Sequence, residues 1–312
     1  MRAIGQDTFG GPEVLKVVEV ERPEPGPAEV LVRVHAAGVN PTDSWHRGTG
    51  GLAGDAAPVR LGWDVSGVVE AVGPGVTLFQ PGDEVFGMPR HPLPAGTYAE
   101  YVTSPARHLV RKPASLTHVQ AAALPLAALT AWQALVDTAD VRPGQRVLIH
   151  AAAGGVGHLA VQIAKSRGAY VIGTARAAKH DFLRGLGADE VVDYTETDFA
   201  TAVGDIDVVL DTIGGDYGPR SLRTLRPGGL VVSLASPAEA ALAVEARELG
   251  LRSTFLVVEA DQAGMREIAA LAESGTLRAE IATTLSLELA ARAHEIGETG
   301  RTTGKIVLTV AD

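Results

Sequence analysis

Two stretches carry residue types at spacings that could do chemistry. The first is His150-Ala151-Ala152-Ala153-Gly154-Gly155-Val156-Gly157, where Ala152, Gly154 and Gly157 keep the spacing of a glycine-rich phosphate turn, with alanine at its first position. Gly154 would let the backbone approach a pyrophosphate, and Gly157 would let a helix pack closely on a strand. Free N–H groups at the helix start would then face phosphate oxygens. The second stretch, Gly173-Thr174-Ala175-Arg176-Ala177-Ala178-Lys179, lies about 20 residues on, where an acidic residue would hold the ribose hydroxyls of NAD. No carboxylate follows until Asp181. A hydroxyl and two cations suit a 2′-phosphate, because guanidinium forks onto phosphate oxygens and ammonium adds a point charge. The pattern predicts NADPH over NADH, held by Gly154, Gly155, Val156, Gly157, Thr174, Arg176 and Lys179. The plainer alternative is ordinary solvated charge at a helix start.

Other chemistry is removed by composition. The 312 residues include no cysteine, which excludes disulfides, thiolate nucleophiles and every cysteine-containing zinc or iron–sulfur site. With 27 basic against 37 acidic residues the net charge is −10, which disfavours nucleic acid as a partner. No run approaches the roughly 20 apolar residues of a membrane span, and Met1-Arg2-Ala3-Ile4-Gly5-Gln6-Asp7 has no apolar signal core. The expectation is a cytoplasmic protein with no membrane partner. The nine histidines show no metal spacing, and His150 and His158 beside the glycine turn read as structural.

The elements that must position these residues fall into two patterns. The first ~120 residues read as short strands punctuated by Gly and Pro: Val14 to Val20, Glu29 to His35, Val65 to Val72, Pro81 to Gly87 and Gly96 to Val102. This suggests a small barrel or folded sheet. His118 to Thr138 is helical in period and broken at Pro125. After Pro143-Gly144 strands and helices alternate. Arg146 to His150, Tyr170 to Thr174, Glu190 to Asp193, Asp207 to Asp211 and Gly229 to Leu234 are the strands, and Val156 to Arg167 is an amphipathic helix. That alternation predicts an α/β doubly wound (Rossmann) domain with a parallel sheet. The tail reads as helix 259–273, strand 281–285, helix 287–296 and strand 305–310, too long for one more unit, and is expected to return to the first domain.

Beyond these local readings the chain resembles the zinc-free quinone oxidoreductase branch of the medium-chain dehydrogenase/reductase superfamily, over nearly its whole length. The resemblance rests on Ala37-Gly38-Val39-Asn40-Pro41-Thr42-Asp43, Gly62-Trp63-Asp64-Val65-Ser66-Gly67, Leu124-Pro125-Leu126 to Thr130-Ala131-Trp132, the glycine turn, Asp211-Thr212-Ile213-Gly214-Gly215 and Gly304-Lys305-Ile306-Val307-Leu308. It implies a GroES-like domain, 1–120 completed by 260–312, with the nucleotide domain 121–259 inserted. In similar zinc alcohol dehydrogenases the metal ligands are cysteine, histidine and cysteine. Those positions correspond here to Asn40, Trp63 and Leu126, none a thiolate or imidazole, so no metal is expected.

The resemblance also implies roles. Asn40 and Thr130 would lie against the cofactor and act in catalysis, Asn40 as a hydrogen-bond donor near the reacting end; Asn before Pro equally starts a turn. Tyr194 resembles a tyrosine near the adenosine phosphate, or else packs at a strand end. Ser233 and Ala235, with Phe255 and Val257, would line the nicotinamide pocket through backbone groups, or else belong to core strands. Trp45 stands where many quinone reductases carry tyrosine, and indole cannot pass on a proton as a phenol can. The glycine-rich stretch 48–55 beside it is expected to be flexible and to border the substrate site.

The expected reaction is NADPH-dependent hydride transfer to a quinone or another α,β-unsaturated carbonyl, whose developing charge is already delocalised. Two readings stand beside it: an enoyl-thioester reductase, and a non-catalytic NADPH-binding protein of structural or regulatory role. Family likeness and the apolar run Ser253 to Val258, an exposed edge if left unpaired, lead to the expectation of a homodimer.

Overall fold

The computed structural model describes residues 1–51, 54, 57–234 and 240–310. Along the first stretch run β1 (Arg2–Gln6), β2 (Lys16–Glu19), β3 (Glu29–Val39), α1 (Pro41–Thr49), β4 (Val59–Arg60), β5 (Val65–Val72), β6 (Glu84–Gly87), β7 (Tyr101–Pro105) and β8 (Leu109–Arg111). The helices α2 (His118–Ala122) and α3 (Pro125–Trp132) follow, and a π-helical turn over Gln133–Thr138 extends α3. Next come β9 (Arg146–Ile149), α4 (Gly157–Ser166), β10 (Tyr170–Thr174), α5 (His180–Gly185), β11 (Glu190–Val192), α6 (Phe199–Ala202), β12 (Ile206–Asp211), α7 (Tyr217–Leu222), β13 (Leu225–Ser233), α8 (Ala240–Glu248) and β14 (Arg252–Phe255). The chain ends with α9 (Gln262–Glu273), β15 (Ile281–Ser286), α10 (Ala290–Glu298) and β16 (Lys305–Thr309).

Two compact units result: Met1–Leu129 together with Val258–Asp312, and Thr130–Val257. In the first, a sheet ordered β15-β16-β3-β5-β6-β8 is built around the 11-residue β3, which also pairs with β7. Strand β16 lies antiparallel to β3, so the last strand of the chain closes onto one of the first. A second sheet is ordered β2-β1-β4. Val30, Val32 and Val34 alternate along β3 into a core shared with Val65, Val85 and Leu308, all fully buried, and the strand's other face is also covered at Leu31 and over Ala36–Val39.

The second unit is a six-stranded sheet ordered β11-β10-β9-β12-β13-β14, every pair parallel. Register sets Ile172, Leu148, Val209 and Val231 in one row across four strands, all with no exposed surface. Strands covered on both faces need apolar residues in succession, which is what Val147-Leu148-Ile149 and Val208-Val209-Leu210 supply. The order reverses at β9 and β12, so the carboxyl ends of these two strands flank the switch point where open α/β sheets take ligands.

Several elements differ from the sequence expectation. Residues 96–100 are not a ladder strand; Gly96 and Thr97 N–H both donate to Gly62 O and Tyr98 N–H to Leu61 O, and β7 begins only at Tyr101. Strand β1 was not expected. Asn40-Pro41 opens a helix and not a bare turn, with Asn40 as its N-cap and Pro41 in its first turn. Pro tolerates the first helical position because that N–H has no intrahelical partner.

Candidate active site

The glycine turn of the second unit is built by close approach. Strand β9 ends at Ile149 and α4 begins at Gly157. A Cβ on Gly157 would stand 2.4 Å from Ala151 O and 2.7 Å from Ala152 Cα, both backbone atoms that cannot swing aside. Ala151 takes a left-handed φ of 45°, and Gly154 N–H donates to Ala151 O at 2.8 Å to close the turn. Gly155 and the N-cap Val156 lead into Gly157, the first residue of α4, so their N–H groups fall at the helix N-terminus. Backbone with no Cβ in the way, donors and a helix N-terminus fit a pyrophosphate.

Behind the turn lies a buried polar relay. His150 Nδ1 is 3.2 Å from Thr174 Oγ1, and its Nε2 is 2.9 Å from Ser221 Oγ. Thr174 Oγ1 also accepts from Ala151 N–H, while Thr174 O accepts from Ala152 N–H. Burial, with the charge of Arg220 adding to it, pushes the His150 imidazole down to about 3, so it is neutral across the physiological range. Thr174 has no exposed surface. Its hydroxyl is engaged with His150 and with the turn at Ala151 N–H.

The two remaining residues of the expected phosphate subsite are brought together. Arg176, just beyond β10, is exposed, and its Nε donates to Tyr194 Oη at 3.1 Å. Lys179 lies one turn further on, its N–H donating to Arg176 O. Asp193 is also close, but its carboxylate accepts from Ala177 N–H and from Thr195. Sequence reading did not weigh this residue.

Ser233 and Phe255 are register partners at the carboxyl ends of β13 and β14. Ser233 is fully buried with its hydroxyl unpaired, whereas Phe255 and Val257 are half-buried. Ala235 lies outside the described residues, as do Leu52, Ala53 and Asp55 of the glycine-rich stretch. Thr130, 6% exposed on α3, opens the second unit.

The first unit holds a buried polar cluster around Asn40, which is 3% exposed. Asn40 Nδ2 donates to Asp64 Oδ2 at 2.9 Å, and Lys305 Nζ donates to Asn40 Oδ1 and, at 3.1 Å, to Val39 O. Asp64 is fully buried; its Oδ1 accepts from Leu126 N–H at 2.7 Å, and its Oδ2 lies 3.5 Å from the Lys305 ammonium. A second carboxylate, Asp43, accepts from Asn40 N–H at 2.7 Å and from Gly62 N–H at 3.1 Å. Burial pushes Asp43 up to about 7, opposed by the bond from Asn40 N–H. The buried Tyr98 hydroxyl beside it makes no hydrogen bond of ordinary geometry. In the sequence, Asp64 and Lys305 stand out only within the family motifs. The available signal was their type, since charges falling in apolar β runs are rarely buried unless paired.

These donors do not suit zinc. Asn40 Oδ1 already accepts from an ammonium, Leu126 offers no ligand atom, and the Trp63 indole N–H donates to Leu93 O at 2.8 Å. Trp63 packs against His46 and His91, with ring centroids 5.2 and 5.1 Å apart. Among the described residues no group of three or more His, Cys, Asp or Glu side chains is placed to hold a metal ion.

Comparison with known proteins bears on both units. A family model described as alcohol dehydrogenase GroES-like domain matches residues 26–114, and one described as zinc-binding dehydrogenase matches residues 186–308, a span that excludes Asn40, Trp63 and Leu126. A quinone oxidoreductase of Pseudomonas aeruginosa is 36% identical over 96% of this chain and 97% of its own. The pikromycin polyketide synthase component PikAII of Streptomyces venezuelae is 38% identical over 94% of this chain, which spans only 8% of that protein's length. Among solved structures, the quinone oxidoreductase from Coxiella burnetii superposes with a TM-score of 0.95 at 39% identity, covering 100% of this chain and 99% of that one. Escherichia coli quinone oxidoreductase complexed with NADPH superposes with a TM-score of 0.88 at 30% identity, covering 99% and 100%.

Proposed function

The chain belongs to the quinone oxidoreductase branch of the medium-chain dehydrogenase/reductase superfamily, and from that premise we propose that it is an NADPH-dependent reductase of quinones or other α,β-unsaturated carbonyls that works without a metal. The observation that supports this reading is the buried cluster in which Asn40, at the position of a zinc ligand in similar alcohol dehydrogenases, is a side-chain hydrogen-bond donor held by Asp64 and Lys305. NADPH, when bound, supplies the hydride.

The chain's own residues do the rest. Gly154 to Gly157 take the pyrophosphate, and Arg176, with Tyr194 and Lys179 nearby, takes the 2′-phosphate. Thr130, Ser233, Phe255 and Val257 line the nicotinamide end. Asn40 donates to the acceptor's carbonyl oxygen as charge develops there, and water returns the proton. Met1–Leu129 with Val258–Asp312 is then the GroES-like catalytic unit, and Thr130–Val257 the nucleotide unit. A homodimer through the half-buried edge strand β14 and a cytoplasmic location complete the proposal.

Similarity to a polyketide synthase component favours enoyl thioesters as a second substrate class. One panel separates the readings: oxidation of NADPH and of NADH with 1,4-benzoquinone, an enone and crotonyl-thioester, for wild type and Arg176→Ala. The expected result is turnover of quinone or enone with NADPH preferred. Arg176→Ala should lower kcat/KM for NADPH about tenfold or more and leave NADH unchanged. Turnover confined to the thioester would favour the second class. NADPH binding with no oxidation of any acceptor would make the protein a binding module.

A further inference from the structure

The cluster around Asn40 contains more than the proposed function uses. Asn40, Asp64 and Lys305 are 3%, 0% and 3% exposed, and they come from three distant parts of the chain. Burying an ammonium and a carboxylate costs several kcal/mol per ion before their attraction offsets it. A pair that served packing alone could be replaced by apolar side chains of similar volume at little cost. Here both charges are aimed at one neutral group. Lys305 has no acceptor, so it fixes which end of the Asn40 carboxamide is oxygen. Asp64 Oδ2, accepting on the opposite side, fixes which end is nitrogen. The amide is locked in a single orientation, and one of its two Nδ2–H groups is left for a partner outside the cluster.

We propose that Lys305 is a positioning residue that locks the Asn40 carboxamide and strengthens it as a hydrogen-bond donor, the buried ammonium on Oδ1 drawing electron density from the Nδ2–H bonds. The inference rests on the reading of Asn40 as donor to the substrate oxygen. It gives that reading a source of positive charge where no metal supplies one. Lys305 does not itself deliver a proton, since its ammonium is engaged by Val39 O, Asn40 Oδ1 and Asp64. Charge held in a buried site is screened little by solvent; the Asp64 carboxylate on the other Nδ2–H opposes it in part, and removal of the ammonium leaves that opposition alone.

The test uses three variants and two readouts. Lys305→Gln keeps a donor without charge, Lys305→Met removes both, and Lys305→Arg keeps the charge. For Lys305→Gln and Lys305→Met, kcat with quinone should fall about 10- to 100-fold, less than the about 100- to 1,000-fold typical of deleting a whole donor. The Kd for NADPH should change far less than kcat, because the pyrophosphate and 2′-phosphate contacts of the glycine turn and Arg176 do not involve Lys305. Lys305→Arg should recover most of the lost kcat. Equal kcat in Lys305→Gln and wild type would overturn the proposal.

The second readout needs no turnover. In ¹⁵N-labelled protein without cofactor, the two Asn40 Nδ2 protons should give separate resonances downfield of a free amide, assigned by their loss in Asn40→Ser. In Lys305→Gln they should move toward the free-amide position. Free-amide shifts in the wild type would overturn the proposal even if no Lys305 variant folds. Should wild type turn over no acceptor, the proposed function fails while this spectrum still judges Lys305.

Discussion

His150 shows how much one side chain does behind the nucleotide turn. It binds Thr174 and Ser221 at once, and Thr174 in turn holds Ala151 N–H where the chain takes its left-handed φ. Burial keeps the imidazole neutral in the fold, down to about 3, whereas in the unfolded chain it ionises near 6.5. The folded value is the depressed one, so the stabilisation is complete above about pH 6.5 and is lost as pH falls toward 3. Unfolding between pH 4 and 6 must therefore take up about one proton at this site, worth about 1.4 kcal/mol per pH unit. His150→Gln should unfold in urea with a pH dependence shallower by that one proton; identical slopes would place the proton elsewhere. His294, also pushed down to about 3, acts in the same direction, while Asp43, pushed up to about 7, acts oppositely. The stabilisation from Asp43 is complete below about pH 4 and is lost as pH rises through 7. At this scale the sequence is read well where partners are close in the chain. The tight turn between β9 and α4 was legible by spacing. The Asn40–Lys305 bond, 265 positions apart, was not, because no local pattern encodes it.

At the scale of elements, β9, the turn and α4 are one device, and Gly157 is the point where strand and helix touch. Adding a methyl there meets backbone on two sides, so Gly157→Ala should cost about 1–3 kcal/mol of stability and weaken NADPH binding about tenfold or more. Gly154→Ala, whose nearest contact would be 3.1 Å, should be milder in both respects. Calorimetry of the two variants checks the order, and the reverse order would mean that helix packing does not set the turn. The parallel strands were legible because strands buried on both faces show as unbroken apolar runs. Helix α1 was missed because it is short and polar, with only Asp43, His46 and Arg47 buried. Its signal was the Asn40-Pro41-Thr42-Asp43 start, in which Asp43 reaches back to Asn40 N–H. Residues 96–98 look like strand but spend their N–H groups on the loop at Leu61 and Gly62, while Ala99 and Glu100 only bridge to β1, a choice that tertiary contacts make.

For the molecule as a whole, chain order and spatial order disagree. Strand β16 fills a place between β15 and β3, so the first unit is completed only when the last residues arrive. The length of the tail pointed to such a return, but local periodicity does not say which strand β16 joins. That closure brings Lys305 to Asn40, and the donor cluster exists only in the finished fold. The central claim is that hydride passes from bound NADPH to a conjugated acceptor beside Asn40 with no metal taking part. Its most direct test is transfer from NADPH deuterated at C4, each epimer in turn, to but-3-en-2-one by chelator-treated protein of verified metal content. Deuterium on the β-carbon of the product from one epimer, at a rate unaffected by chelation, is the expected result. An unlabelled β-carbon, or a rate lost on chelation and restored by zinc, would contradict it.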